Sequence, residues 1–195
     1  MFTAWLRKVF GKSLDMIAAV LDRWGVTANA LTIAGCLLNV GVGVLLALGY
    51  LRLGGVLLLG ASGLDGLDGT LARIGRGPTK FGAFLDSVLD RVSESALFIG
   101  LAWHFMEQSG RTEVLLAAIT LVGSLLVSYT RARAEGLGLD CKVGLLTRVE
   151  RCLVLFLALT LGVIGPALWI LAVGTWLTAL HRVLHVYATV KETPL

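Results

Sequence analysis

Four aspartates stand out in the chain: Asp65 and Asp68 in GLDGLDG, and Asp86 and Asp90 in KFGAFLDSVLDR. Each pair sits in a long apolar stretch. Asp86 and Asp90 are spaced i, i+4 and share one helix face. A charge at mid-membrane depth costs ~2.5–3.5 kcal/mol even on lenient scales. Two like charges 4 Å apart repel by ~4 kcal/mol at an effective dielectric of 20. Such carboxylates must be protonated, paired with arginine or bound to cations. A donor set made only of oxygen selects hard divalent ions, Mg²⁺ or Mn²⁺. Four carboxylates suffice for two ions, and a two-ion clamp suits displacement at phosphorus.

The elements that position them follow from composition. The chain has 195 residues, 56% hydrophobic and 15% charged, with a mean hydropathy of +0.84. That is far more apolar than a soluble domain, and the expected class is an all-α integral membrane protein of one domain, 1–195. Apolar runs predict six transmembrane helices: about Ala28 to Tyr50, Leu53 to Ile74, Lys80 to Phe105, Thr112 to Glu135, Leu146 to Val163 and Pro166 to Val190, together a core over 28–190. Gly165-Pro166 is expected to separate the last two. Residues 1–25 mix Trp5, Leu6, Val9, Phe10, Leu14, Ile17, Ala18 and Leu21 with charges, the pattern of an amphipathic helix lying on a membrane surface. Interruption by Asp15, Asp22 and Arg23 argues against a signal peptide. The three cysteines suggest neither a disulfide framework nor a zinc site.

Lysine and arginine concentrate on one side of the expected spans: Arg7, Lys8, Lys12 and Arg23, then Arg73, Arg76 and Lys80, then Arg131, Arg133, Lys142, Arg148 and Arg151, then Arg182 and Lys191. The opposite loops carry Arg52 and Arg111. Both termini and the aspartates' end should therefore face the cytoplasm. The net charge of +4 serves topology and calls for no nucleic acid. With a rise of ~1.5 Å per residue, Asp68 and Asp65 lie roughly 9 and 13 Å inside the second span, and Asp86 and Asp90 roughly 10 and 16 Å inside the third. The two spans, joined by GRGPT as an antiparallel pair, bring the carboxylates to similar depth. Gly60, Gly63, Gly66 and Gly69 recur every third residue, which permits close approach; helix packing is the expectation for Gly60 and Gly63. Arg73 and Lys80 at the mouth point to phosphate, and a phosphate site at the lipid boundary suggests a lipid pyrophosphate substrate.

The run Asp65-x2-Asp68-Gly69-x2-Ala72-Arg73-x8-Gly82-x3-Asp86-x3-Asp90 resembles the signature of the CDP-alcohol phosphatidyltransferase family. The resemblance implies a homodimer in the plasma membrane with a two-metal site open to the cytoplasm. It implies Asp65, Asp68, Asp86 and Asp90 as metal ligands and Asp90 as general base. The acceptor hydroxyl would attack the β-phosphorus of CDP-diacylglycerol and CMP would leave. Gly69, Ala72, Arg73 and Gly82 would line the CDP site. The family often carries Pro-x-x-x-Thr before the first span; here VTANALT places Ala28 at the proline position.

The stretch SYTRARAEGLGLDCKVGLLTRVER is similar to the corresponding region of bacterial phosphatidylinositol-phosphate synthases, with Arg131 where lysine is usual. That similarity implies an acceptor-phosphate pocket of Thr79, Lys80, Arg131, Arg133, Arg148, Arg151 and Arg182, and inositol 1-phosphate as acceptor. Glycerol 3-phosphate would want the same cations, and topology alone could account for several of them. Glu94 extends the polar face of the third span and is expected to pair with Arg91 or a neighbouring helix. His181 and His185 fit the cytoplasmic interface. A cation channel or transporter would explain the four aspartates but not the spacing of Gly69, Ala72, Arg73 and Gly82. A membrane prenyltransferase would place its aspartate motifs on distant parts of the chain.

Overall fold

The structure, a computed structural model, describes residues 2–75 and 77–192, with side chains over 11–75 and 77–191. Expectations that rest on the side chains of Trp5, Leu6, Arg7, Lys8, Val9, Phe10 and Arg76 lie outside the described residues. Seven helices follow one another: α1 (Phe2–Arg23), α2 (Ala28–Ala47), α3 (Leu51–Ile74), α4 (Lys80–Glu107), α5 (Arg111–Gly136), α6 (Arg148–Leu161) and α7 (Ile164–Glu192). Among the described residues there is no strand.

Local chemistry explains the ends. Thr27 caps α2 by accepting from the Ala30 amide at 3.2 Å. Thr79 caps α4 in the same way, accepting from the Gly82 amide at 2.9 Å. The break between α6 and α7 falls at Gly162, which takes a left-handed conformation with φ 77°. It was expected at Gly165-Pro166. Pro166 instead occupies the first turn of α7, where its missing N–H has no intrahelical acceptor to serve.

Six helices close into a ring. α2 packs on α3, α3 on α6, α6 on α7, α7 on α5, α5 on α4 and α4 back on α2. α1 lies outside the ring against α3: Ala18, fully buried, and Leu14 and Leu21 pack on Leu67, Leu71 and Leu64. The expected hairpin of α3 and α4 needs correction, because the two helices have little direct contact and α2 packs against both.

All six ring helices contribute to one apolar core, including Leu46, Leu58, Phe98, Leu159 and Leu168. These residues lie in the half of the bundle away from the aspartates. Within that half α2 and α4 meet backbone to backbone. A methyl group at Gly100 would stand 2.1 Å from the Gly43 carbonyl oxygen. Gly60 and Gly63, by contrast, have nothing within 4 Å of where a methyl group would sit, so the expected packing role does not hold within this chain. Outward faces are apolar, with Leu37, Val56, Val92, Leu115, Leu157 and Trp169 exposed. Three helices, Ala28–Ala47, Arg111–Gly136 and Ile164–Lys191, are long and apolar enough to cross a membrane by themselves. α3 and α4 carry the aspartates and other charges, and α6 has 14 residues.

Gly100→Ala should lower the thermal midpoint of the detergent-solubilised protein sharply, since overpacking costs ~1–3 kcal/mol and here the obstacle is backbone. Gly60→Ala should leave it unchanged or slightly raised. Equal midpoints for the two variants would contradict the backbone contact of α2 and α4.

Candidate active site

Away from the core, the ring opens around the four aspartates. Asp68 is buried at 6% exposure, and the Thr32 hydroxyl lies 2.7 Å from its Oδ2. The same hydroxyl is 3.0 Å from the Ala28 carbonyl. It has one proton to give, and the carboxylate is the stronger acceptor. α2 thus orients a carboxylate of α3. Asp65 and Asp90 face each other across the gap between α3 and α4, and Arg148, first residue of α6, bridges them: Nη2 is 2.8 Å from Asp65 Oδ2 and Nη1 is 2.6 Å from Asp90 Oδ1. Asp86, one turn before Asp90 on α4, lies beside Asp68 in one adjoining cavity and beside Asp90 in another.

The donor set suits divalent cations. It consists of carboxylate oxygens on two helices, and a guanidinium already stands as the positive charge between two of them. With Arg148 so placed, the carboxylates do not share one coordination sphere: among the described residues, no three ligating side chains are grouped closely enough to hold one ion.

Two cavities adjoin the aspartates, and Asp86 borders both. One, of about 860 Å³, is lined by Gly69, Ala72, Arg73 and Gly82 together with Asp68. These are the residues expected around a CDP group, and the structure brings them together. A methyl group at Gly82 would meet Thr79 Oγ1 at 2.9 Å and Asn29 Oδ1 at 3.0 Å, so these side chains would have to shift to admit it. Arg73 Nη2 donates to Thr70 Oγ1 at 2.8 Å. Asp22 of α1 also reaches this cavity.

The second cavity, of about 1220 Å³, is lined by Arg131, Arg148, Arg151 and Arg182 with Asp86 and Asp90. Its arginines are held differently. Arg151 is 2% exposed and donates Nε and Nη2 to Glu94 at 2.6 and 2.9 Å, and Nη1 to the Leu146 carbonyl at 2.9 Å. Arg182 donates to the carbonyls of Val143, at 2.8 Å, and Val127. Arg131 pairs with Glu135 at 2.8 Å on the exposed side.

Three expected members of the acceptor pocket are placed elsewhere. Thr79 lines the cavity of Gly82, because capping α4 turns its hydroxyl toward that side. Lys80 is exposed at the first turn of α4 and lines neither cavity. Arg133 is exposed and lines neither, two residues and roughly 200° around α5 from Arg131. His181 and His185 also stand apart from both. Arg91 lines the arginine-rich cavity and was missed as a site residue; its Nη2 donates to Ser128 Oγ at 2.9 Å. Its position directly after Asp90 was the available signal. Glu94 pairs with α6 rather than with Arg91.

Comparisons with known proteins agree with this arrangement. The sequence profile described as CDP-alcohol phosphatidyltransferase matches residues 25–187. The chain is 36% identical over 191 residues to the archaetidylinositol phosphate synthase of Methanothermobacter thermautotrophicus, covering 95% of this chain and 94% of that one. It is 36% identical over 185 residues to the phosphatidylinositol phosphate synthase of Mycobacteroides abscessus, covering 90% and 84%. The crystal structure of Mycobacterium tuberculosis phosphatidylinositol phosphate synthase with CDP-DAG bound superposes with a TM-score of 0.84 at 32% identity, covering 89% of this chain and 93% of that one. The same enzyme in complex with manganese and citrate also gives a TM-score of 0.84. With the signature aspartates facing one another inside a matching fold over nearly its whole length, the chain belongs to the CDP-alcohol phosphatidyltransferase family.

Proposed function

We propose that the protein transfers the phosphatidyl group of CDP-diacylglycerol to a hydroxyl of inositol 1-phosphate, releasing CMP and forming phosphatidylinositol phosphate. The observation that carries this is Asp86 standing between two cavities, one with the glycines of the family signature and one lined by arginines. A lipid-linked nucleotide and a phosphorylated polyol can approach one carboxylate cluster from opposite sides. The named relatives differ in their lipid, archaetidyl or phosphatidyl, and share inositol phosphate. The arginines that line the larger cavity suit a phosphorylated acceptor of that kind.

Asp65, Asp68, Asp86 and Asp90 would hold two Mg²⁺ or Mn²⁺ ions, which would polarise the diphosphate and stabilise the charge that develops on it. Thr32 orients Asp68. Asp90 takes the proton of the attacking hydroxyl as general base. Gly69 and Gly82 leave room for the nucleotide, and Arg73 neutralises phosphate charge at the mouth. Arg131 and Arg91 present guanidinium groups to the acceptor phosphate, while Arg151 and Arg182 shape its cavity. We extend the reading to one domain over 1–195, with α1 on the membrane surface and α2 to α7 crossing it. Both termini and the site would face the cytoplasm at the plasma membrane, and two copies would form a homodimer. The lysine and arginine distribution supports the orientation.

Purified protein given CDP-diacylglycerol, Mg²⁺ and inositol 1-phosphate should release CMP and form the phosphorylated inositol lipid by mass spectrometry. EDTA should stop the reaction. Product with glycerol 3-phosphate instead would move the assignment to phosphatidylglycerol-phosphate synthesis. Asp90→Asn should lower kcat by at least about 100-fold while CDP-diacylglycerol still binds in a direct binding assay; near-normal turnover would remove the general-base role. Arg131→Gln should raise KM for inositol 1-phosphate by about 10-fold, as expected from losing a charged hydrogen bond, with a smaller change in kcat. An unchanged KM would take Arg131 out of the pocket.

A further inference from the structure

Arg148 lines the arginine-rich cavity, yet its guanidinium is bonded to two of the carboxylates. It stands 2.8 Å from Asp65 on α3 and 2.6 Å from Asp90 on α4. The other arginines of that cavity are committed to groups outside the aspartate cluster: Arg151 to Glu94, Arg182 to Val143 and Val127, Arg131 to Glu135 and Arg91 to Ser128. Arg148 alone holds groups that the proposed reaction needs for another purpose. Its charge does not adapt, because a guanidinium keeps its proton in proteins. When Asp65 and Asp90 turn to divalent ions, Arg148 competes with those ions for the same two carboxylates, and like charge drives the guanidinium away. The cavity it already borders is where an anion would receive it.

We infer that Arg148 exchanges partners: it neutralises Asp65 and Asp90 while they carry no metal, and on metal loading it turns to the acceptor phosphate. Metal and acceptor then bind cooperatively, each favouring the other by the same factor. The exchange also keeps the cluster from being left with uncompensated carboxylates. This inference rests on the proposed transferase reading and adds an order to it, with metal before acceptor.

The test is a linkage measurement on the full chain in detergent. Inositol 1-phosphate affinity is measured by calorimetry without metal and at saturating Mg²⁺, and Mn²⁺ affinity is measured without acceptor. In the unmodified protein, Mg²⁺ should tighten inositol 1-phosphate binding by about 10-fold or more, within the usual range of coupling between sites. Arg148→Gln should cut that gain to about 3-fold or less and should tighten Mn²⁺ binding, because the competing cation is gone. Arg131→Gln should weaken inositol 1-phosphate binding but keep the full gain from metal, which separates loss of a phosphate contact from loss of the exchange. Arg148→Lys, which keeps the charge but cannot span both carboxylates, should also bind Mn²⁺ more tightly and serves if the glutamine variant does not fold.

An undiminished gain from metal in both Arg148 variants, or Mn²⁺ affinity that is unchanged or weaker, would overturn the exchange. Turnover of the unmodified protein is recorded alongside. CMP formation together with an unaltered gain sinks the exchange alone, whereas no CMP with any acceptor sinks the proposed function.

Discussion

The repulsion among Asp65, Asp68, Asp86 and Asp90 is the constraint around which one half of the bundle is arranged. Brought together away from bulk water, these carboxylates need compensating positive charge and hydrogen bonds before their helices can approach. Thr32 supplies a hydrogen bond to Asp68 and Arg148 supplies a charge to Asp65 and Asp90. Each comes from a helix other than α3 and α4. The two aspartate-bearing helices are thus held in register by α2 and α6, and the gap between them stays open.

The opposite half of the ring makes that gap tolerable. Leu58, Phe98, Leu116, Leu159 and Leu168 fill the centre of the bundle, and Gly43 and Gly100 bring the backbones of α2 and α4 together. With the helices fixed there, they need not pack at the other end, where polar side chains line two cavities. The buried pair of Arg151 and Glu94 ties α6 to α4 near the boundary of the halves. Because Arg151 also holds the Leu146 carbonyl and Arg182 the Val143 carbonyl, the loop between α5 and α6 is fastened to the bundle where it bounds the larger cavity.

Features encoded by local spacing were legible in the sequence. The helices run within a few residues of the apolar stretches that announced them, and the two aspartate pairs reach one depth because residue count sets depth along a helix. Features that depend on which helices are neighbours were not legible. Nothing in GRGPT says that α2 will stand against both α3 and α4. Thr79 went to the smaller cavity because a capping role fixed its direction, while Arg91, expected only as a partner for Glu94, lines the larger one. Gly60 and Gly63 share the spacing of packing glycines but face outward. Periodicity gives a face and leaves its partner unspecified.

The shortness of α6 has a consequence for the surrounding lipid. Its 14 residues extend about 21 Å, against a hydrocarbon layer of ~30 Å. A bilayer meeting so short a helix must thin beside it or admit polar groups to the level of its first residue. That residue is Arg148, at the height of the aspartates. With α6 crossing the membrane as proposed, thickness mismatch would lower the water boundary at this side of the molecule, and a charged solute and a lipid headgroup could meet at one level without either being dragged through hydrocarbon.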